Sequence, residues 1–303
     1  MKSFQRTLSF RINIISSEDI SSAMAGRQEI RFSKYDALGN DFVVIDNRNG
    51  LLTLDCDLIL RMCDRKRGIG ANGLLEVRDH PELAYIIVYY NSDGKEGRLC
   101  GNGSRCSVAF AKQIGIVLVD DVITFGACDG EHQGGYNKGD NQYFISMKDV
   151  RVSDITVYDK DNYFLDTGTI HHVRYVRDLA TYNVYDEGRQ LRFNYYKDVG
   201  GSNVNFVEVT KDDKIRARTY ERGVEEETLA CGTGATAVAL VTWLKKNPRV
   251  VRANTSGSVT EEEFTVYMEG GNLVVSFLFN GEAFTRVYLK GPVTHVFDGV
   301  YFV

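Results

Sequence analysis

Proline is almost absent from this chain of 303 residues, with three in all, and its 29 glycines follow no fixed period. Both facts exclude a collagen-like or low-complexity polymer. Cysteine is sparse too: six residues, at positions 56, 63, 100, 106, 128 and 231, with no C-x-x-C pair. That is too thin for the disulfide frame of a small secreted domain, and the ligand spacing of a zinc ribbon or a thioredoxin-like redox motif is missing. A reduced, cytoplasmic setting is expected, with most thiols packed as small hydrophobes. No long apolar run is present; Ala235–Leu244 is about half of the ~18 residues that a membrane span needs. Nor is there an excess of positive charge, since 36 basic against 41 acidic residues leave a net charge of −5. A global nucleic-acid footprint is thereby excluded. What is there is ordinary globular material, 43% hydrophobic and 25% charged. At roughly 100–200 residues per domain, the length predicts two domains.

Residues 1–29 stand apart, mixing Ser and Arg with short apolar bursts. They lack the sustained apolar stretch and cleavage site of a secretory signal, and Glu18, Asp19 and Glu29 argue against an organellar transit peptide. A disordered extension is expected. From Ile30 onward the pattern is mostly strand. IRFSKYDALGNDFVVIDNRNG predicts strand, turn, strand and a closing Asn-Gly turn, and YIIVYYNSDGK a strand running into a turn. FNYYKDVGGSNVNFVEVT, KIRARTYERGV and the tail from Glu262 predict further alternating strands. GSRCSVAFAKQIGI has helical spacing. GTGATAVALVTWLKKN predicts a helix apolar on nearly all sides, and therefore buried, with Lys245 and Lys246 in its last turn.

The most informative feature is an internal repeat. LCGNGSRCSVAFA and ACGTGATAVALVT each follow strands and a turn, and each places Cys-Gly-x-Gly at the start of a helix. Cys100 and Cys231 stand 131 residues apart, about half the chain once the extension is removed. Such spacing predicts a duplicated α/β lobe with equivalent loops facing across a cleft. A helix N-terminus favours thiolate and lowers a Cys pKa. Its glycines let backbone N–H groups of Gly101–Asn102–Gly103 and Gly232–Thr233–Gly234 approach a carboxylate closely. Two such helices gripping one carboxylate would put a thiol on each face of its α-carbon. That suits racemisation or epimerisation, in which one group removes a proton and another of similar basicity replaces it, with no cofactor and no metal. Cys56, Cys63, Cys106 and Cys128 lack this context and are expected to be buried, inert thiols.

Seven segments occur in an order that is specific: ALGNDFVVID, DRKRGIGANGLL, YYNSDGKEGRLCGNGSRC, DTGTIHHV, NVNFVEV, YERGVEEETLACGTGATA and GPVTHVFDG. In these the chain resembles the diaminopimelate epimerases from about Arg31 to Gly299. The resemblance implies an α/β (α+β) fold of two pseudo-symmetric lobes, each a curved, mostly antiparallel sheet around a central helix. The first lobe would comprise residues 30–148 with 290–303 and the second 149–289. It implies catalytic thiols at Cys100 and Cys231, and His171 and Glu221 as the groups that tune them. Substrate contacts would fall to Asn40, Asn91, Asn203, Gly101, Asn102, Gly232 and Thr233, with Glu221 and Arg222 holding the distal amino-acid group. Arg222 can bind a carboxylate bidentately and Glu221 can accept from an ammonium, which complements a zwitterion. The implied partner is a small amino-acid substrate, 2,6-diaminopimelate in its LL and meso forms, bound by a homodimer.

Two departures bear on affinity. Thr169 stands where many relatives carry an amide, and Gly73 where some place a Gln, whose contact would be lost or taken over by backbone. The acidic Val224–Glu227 stretch reads as a loop variation. Proline or hydroxyproline racemases share the two-thiol design but tend to carry His where Asn102 stands. A non-catalytic redox sensor would join Cys100 to Cys231 by a disulfide, which requires α-carbons within about 7 Å.

Overall fold

The computed structural model describes residues 28–117, 121–248 and 259–303. The extension expected over 1–29 lies outside the described residues save for Gln28 and Glu29, and Glu29 already opens the first strand.

Two successive runs of chain build one pattern twice. The first comprises β1 (Glu29–Ala37), β2 (Asn40–Asp46), α1 (Cys56–Cys63), β3 (Gly73–Arg78), β4 (Ile86–Asn91), α2 (Gly101–Gln113), β5 (Val122–Ala127), β6 (Gly130–Asn137) and β7 (Gln142–Ser146). Two short strands, β8 (Val150–Arg151) and β9 (Thr156–Val157), lead onward. The second run comprises β10 (Asn162–Asp166), β11 (Ile170–Tyr175), α3 (Val184–Gln190), β12 (Asn203–Val209), β13 (Ile215–Glu221), β14 (Glu226–Thr228), α4 (Gly232–Lys246), β15 (Thr260–Met268), β16 (Gly271–Phe279) and β17 (Ala283–Gly291). A last strand, β18 (Thr294–Phe302), returns to lie antiparallel beside β1.

Pairing senses repeat strand for strand. β1–β2 is antiparallel, β2–β3 parallel, β3–β4 antiparallel and β4–β5 parallel across α2, followed by antiparallel β5–β6–β7. β10–β11, β11–β12, β12–β13, β13–β15 across α4, and β15–β16–β17 follow the same alternation. The runs meet at their last strands, where β17 pairs with β7 in the register Tyr288↔Ser146 to Gly291↔Tyr143. All the strands thus form one continuous hydrogen-bonded sheet. The fold is mixed α/β with few helices.

Strand patterning explains the sides. β16 buries alternate residues, as a period of two requires when one face meets a core, and β17 does so from Val287 onward, after a register shift that follows Phe284. α2 is buried from Gly101 through Ala111 and α4 from Gly232 through Leu244, so each helix is enclosed rather than laid on a surface. No helix among the described residues is long and apolar enough to cross a membrane.

One local expectation is corrected, and two helices add to the expected elements. Phe193–Gly201 is not strand: Leu191–Tyr195 forms a π turn and Lys197–Val199 a 3-10 turn. The cause is local, since Leu191 and Tyr196 are the buried residues, Tyr196 N bonds Leu191 O, and Gly200 and Gly201 take positive φ, which a strand does not accommodate. α1 and α3 are helices the strand-rich pattern hides. α1 is capped by Asp55, whose side chain accepts from Leu58 N at 2.7 Å, and it buries Leu58, Ile59, Met62 and Cys63 at helical spacing.

Candidate active site

Cys100 and Cys231 are the N-cap residues of α2 and α4, both in extended backbone conformation. The helix starts abut: a Cβ added to Gly232 would lie 3.4 Å from the Cα of Gly101 and 2.7 Å from Leu289 Cδ2. Glycine at both positions leaves room for Leu289, whose Cδ2 would lie within 3 Å of a Cβ on either one. Asn102 fixes the approach of the two starts by donating from Nδ2 to the carbonyl of Ala230 at 3.0 Å, so its buried side chain joins the two runs of chain while its backbone N–H faces Cys100.

The thiols have unequal surroundings. Cys100 is half-buried; its Sγ accepts from Gly103 N at 3.4 Å and receives Asn40 Nδ2 at 3.8 Å. Cys231 is buried, and its Sγ lies 3.6 Å from Thr233 Oγ1. Burial raises both thiols, and the Glu221 carboxylate raises them further. Cys100 is pushed up to about 11, held down in part by the N–H groups of Gly103 and Asn102; Cys231 is pushed higher. The expectation of lowered thiol pKa values is therefore corrected: the helix starts pull in that direction, and desolvation outweighs them.

Asn40 sits just past the β1–β2 turn, whose Leu38 and Gly39 both have positive φ, as a type I′ hairpin turn requires. The turn packs on the other run of chain, where a Cβ on Gly39 would strike Leu229 Cδ1. Asn40 Oδ1 accepts from Asn72 Nδ2 at 3.0 Å, which leaves its own NH2 for the sulfur. Asn72 is itself locked, its N–H bonded to Asp41 and its Oδ1 accepting from Arg65 at 2.6 Å. Asp41 lies between Lys34 and Arg65, both at 2.7 Å, which hold its carboxyl below the usual range despite burial.

His171 is fully buried, and burial lowers its pKa to about 3, with Arg222 adding to the effect. Asn205 determines its tautomer. The Nδ2 of Asn205 must face the His172 carbonyl at 2.9 Å, and its Oδ1 accepts from Thr219 Oγ1 at 2.9 Å. Its NH2 therefore also donates to His171 Nδ1 at 3.1 Å. The proton of His171 then resides on Nε2, which reaches Thr169 Oγ1 and Thr233 Oγ1, each at 2.9 Å. A chain of hydrogen bonds thus runs from Thr219 through Asn205, His171 and Thr233 to Cys231. His172 points to the other side of the strand, toward Tyr196 and Asn162.

Asn203 donates to Thr169 Oγ1 at 3.2 Å and accepts from Arg222 N at 2.8 Å. Arg222 is half-buried, with Nη1 on the Gly201 carbonyl. Glu221 ends β13, accepts from Thr228 Oγ1 at 3.0 Å, and is raised by burial. Asn91 lies farther out, where its Oδ1 accepts from Tyr89 OH at 3.0 Å. A Cβ on Gly73 would lie 2.5 Å from the Tyr89 ring and 2.5 Å from the Tyr90 carbonyl. An aromatic ring, rather than backbone alone, fills the space a longer side chain at 73 would use. The acidic 224–227 stretch is engaged with arginines, Glu225 with Arg192 and Glu227 with Arg218. Cys63 and Cys106 are buried as expected, whereas Cys56 and Cys128 are exposed, because they fall at the first turn of α1 and at the β5–β6 turn. All six thiols are free.

Arg105, Asn72, Asn205 and Thr219 are the site neighbours that residue type and motif order do not single out. The i, i+2 pair Asn203 and Asn205 was a usable signal, since both project to one face of β12.

A family model described as Diaminopimelate epimerase matches residues 32–143 and 163–296. The chain is 40% identical over 271 residues to the diaminopimelate epimerase of Flavobacterium psychrophilum, covering 89% of this chain and 99% of that protein. It is 36% identical to that of Chlorobaculum tepidum, covering 86% and 97%. Among solved structures it resembles a phenazine biosynthesis protein of Bacillus anthracis, with a TM-score of 0.66 and 16% identity over 91% of this chain and 100% of the other. It also resembles a hydroxyproline epimerase of Agrobacterium vitis, with a TM-score of 0.64 and 13% identity over 91% and 93%. At such identities these two likenesses concern the fold alone. By the family model and by its relatives, the chain belongs to the diaminopimelate epimerase family.

Proposed function

We propose that this isomerase interconverts LL- and meso-2,6-diaminopimelate by moving one α-proton between Cys100 and Cys231. The observation that carries the proposal is the pair of thiols at the abutting starts of α2 and α4. In one direction the thiolate of one Cys takes the α-proton, so that C–H breaks and S–H forms. The thiol on the opposite face then gives up its proton, so that S–H breaks and C–H forms with inverted configuration. Protons and electrons balance, and the two thiols exchange roles for the return. Charge moving onto the substrate carboxylate meets the N–H groups at both helix starts, Gly101–Asn102 and Gly232–Thr233, where such donors are worth most away from water.

His171, neutral at physiological pH, holds the Thr233 hydroxyl beside Cys231, and Glu221 sets the field at both sulfurs. Asn40, Asn91, Thr169 and Asn203 line the approach, and Glu221 with Arg222 complement the distal ammonium and carboxylate. Asn102 already bonds Ala230 across the runs of chain. We assign residues 30–148 with 290–303 to a first lobe and residues 149–289 to a second, a reading that the repeated pairing order supports. We further propose a cytoplasmic homodimer; Val296, Phe297 and Val300 on β18 are exposed apolar residues that a second copy would cover.

The test is incubation of reduced protein with LL-diaminopimelate in deuterated water, beside L-proline. Meso product carrying α-deuterium is expected. No exchange with diaminopimelate refutes the proposal, and exchange with proline favours the racemase reading. Light scattering in solution tests the dimer.

A further inference from the structure

Among the described residues Arg105 is the largest fully buried side chain, and it is charged. It lies one turn into α2, directly behind the Cys100 loop. Nη1 donates to the Gly101 carbonyl at 3.2 Å and Nη2 to Asn102 Oδ1 at 2.9 Å, while Nε has no partner. The guanidinium reaches beneath both helix starts: a Cβ on Gly232 would lie 3.6 Å from Nη1, and one on Gly291 would lie 3.4 Å from Nε. Among the described residues no carboxylate pairs with it. Burial lowers its pKa to about 10, which still leaves a cation at neutral pH.

Such placement is costly in isolation. A buried charge is ordinarily paired, and here it faces the positive ends of two helices instead of an acid. A fold gains nothing in stability from three like poles converging. The arrangement becomes favourable when negative charge arrives in front of the helix starts.

We propose that Arg105 is a charge-setting residue of the epimerase site, whose uncompensated guanidinium favours the Cys100 thiolate and the substrate α-carboxylate docked at the two helix starts. It touches neither sulfur nor substrate and acts through the Gly101–Asn102 turn and through space. The groups that face Cys100 are Arg105 and Cys106 on α2, Cys231 on α4, Glu221 on β13 and Tyr89 on β4. Arg105 is the cation in this set, and Glu221 opposes it. The proposal rests on the two-thiol reading, and its primary readout needs no substrate.

The test compares Arg105→Met, similar in length and neutral, with Arg105→Lys, which keeps the charge. The rate of iodoacetamide alkylation at Cys100, read by peptide mass spectrometry, is followed against pH, together with kcat, KM and thermal midpoint. Arg105→Met is expected to alkylate Cys100 on the order of tenfold more slowly at pH 8, with the profile displaced to higher pH. Its kcat falls; the thermal midpoint carries two opposed contributions, removal of a buried charge and loss of the hydrogen bonds to Gly101 and Asn102, so the alkylation profile decides. Arg105→Lys restores the alkylation profile. A purely structural arginine predicts an unmoved alkylation profile in Arg105→Met, whatever the midpoint, and that result overturns the proposal. So does failure of both variants to fold. If the alkylation shift appears but the native protein leaves diaminopimelate unexchanged, the charge-setting role stands and the substrate assignment falls.

Discussion

Folding stability is expected to drop steeply as the pH falls from 7 to 5, on account of two adjacent histidines. His171 and His172 are both buried, and both are lowered from 6.5 to about 3, chiefly by desolvation. His171 accepts at Nδ1 from Asn205, and His172 accepts at Nδ1 from Tyr196 OH at 2.7 Å while Nε2 faces Asn162 Oδ1 at 3.2 Å. A second proton on His171 would set a donor against the Asn205 amide, and for both rings burial opposes the charge. The unfolded chain meets no such obstacle and binds both protons below ~6.5. Stability is thus fully present above the unfolded pKa and is lost as pH falls toward the folded one. Each proton is worth ~1.4 kcal/mol per pH unit, so two approach a slope of ~2.7 below the unfolded pKa and give a loss of ~4 kcal/mol between pH 7 and 5.

Other groups trim this figure without reversing it. His132, raised by its contact with Asp129, acts above 6.5 and is protonated in both states below that. Glu221, raised by burial, runs in the opposite direction by no more than one proton. The salt-bridged carboxylates Asp41, Asp46 and Glu76 have lowered values and enter below pH 5, outside the window. The net slope should lie between one and two protons, large against the ~5–15 kcal/mol that holds a typical domain. Urea unfolding at pH 7, 6 and 5, followed by the buried Trp243 and by far-UV circular dichroism, measures it directly. His172→Asn should reduce the slope by one proton whatever it does to stability at pH 7. A stability flat from pH 7 to 5, or a slope indifferent to that variant, would refute the buried neutral pair.

Three further outcomes follow from the site. Cys100→Ala and Cys231→Ala should each lower kcat by about 10²–10⁴-fold, the usual worth of a positioned acid or base, and equal activity in either variant would contradict the two-thiol mechanism. Glu221→Gln removes the negative charge that raises both thiols, so alkylation of Cys100 at pH 8 should become faster while KM for diaminopimelate rises; a slower or unchanged alkylation rate would sink this account of the field. Gly101→Ala and Gly232→Ala should each cost ~1–3 kcal/mol from overpacking, offset by up to ~1 kcal/mol of helix preference. Both added methyls press on Leu289 Cδ2, so the double variant should depart from additivity in denaturant melts.

Much of the fold was legible because strand alternation and the repeated Cys-Gly-x-Gly are local signals. The pairing order that makes the halves equivalent required the parallel steps β2–β3 and β11–β12, set by segments that differ between the halves. Between β2 and β3 the chain inserts α1, whose cap residue Asp55 is readable; between β11 and β12 it inserts α3 and the π turn at Leu191. The second insertion was hidden by aromatic residues that look like strand. Tyr195 and Tyr196 pack at right angles to each other, and Tyr196 stacks on Phe164. Aromatic enrichment there records packing under a turn, not a pleated surface.

At the site, the ordered motifs named Cys100 and Cys231, which the structure places at two adjoining helix starts, but a helix start read alone gave the wrong net direction for their pKa values. The reason is that the favourable and unfavourable influences come from one contact. Gly101 against Gly232 brings two positive helix ends to bear on the sulfurs, and the same closeness removes water from them. A helix start read alone supplies the first effect; the second exists only when both halves are folded together. Arg105 is intelligible on the same terms. In sequence it is one charge on an otherwise buried helix, four residues after Gly101, where a long side chain runs back toward the N-terminus. Its lack of a carboxylate is a property of what the other half brings beneath Gly232, and no local pattern records it. Desolvation that raises Cys100 to about 11 also strengthens whatever field remains, so an uncompensated cation behind the turn has its greatest effect where the thiol is hardest to ionise.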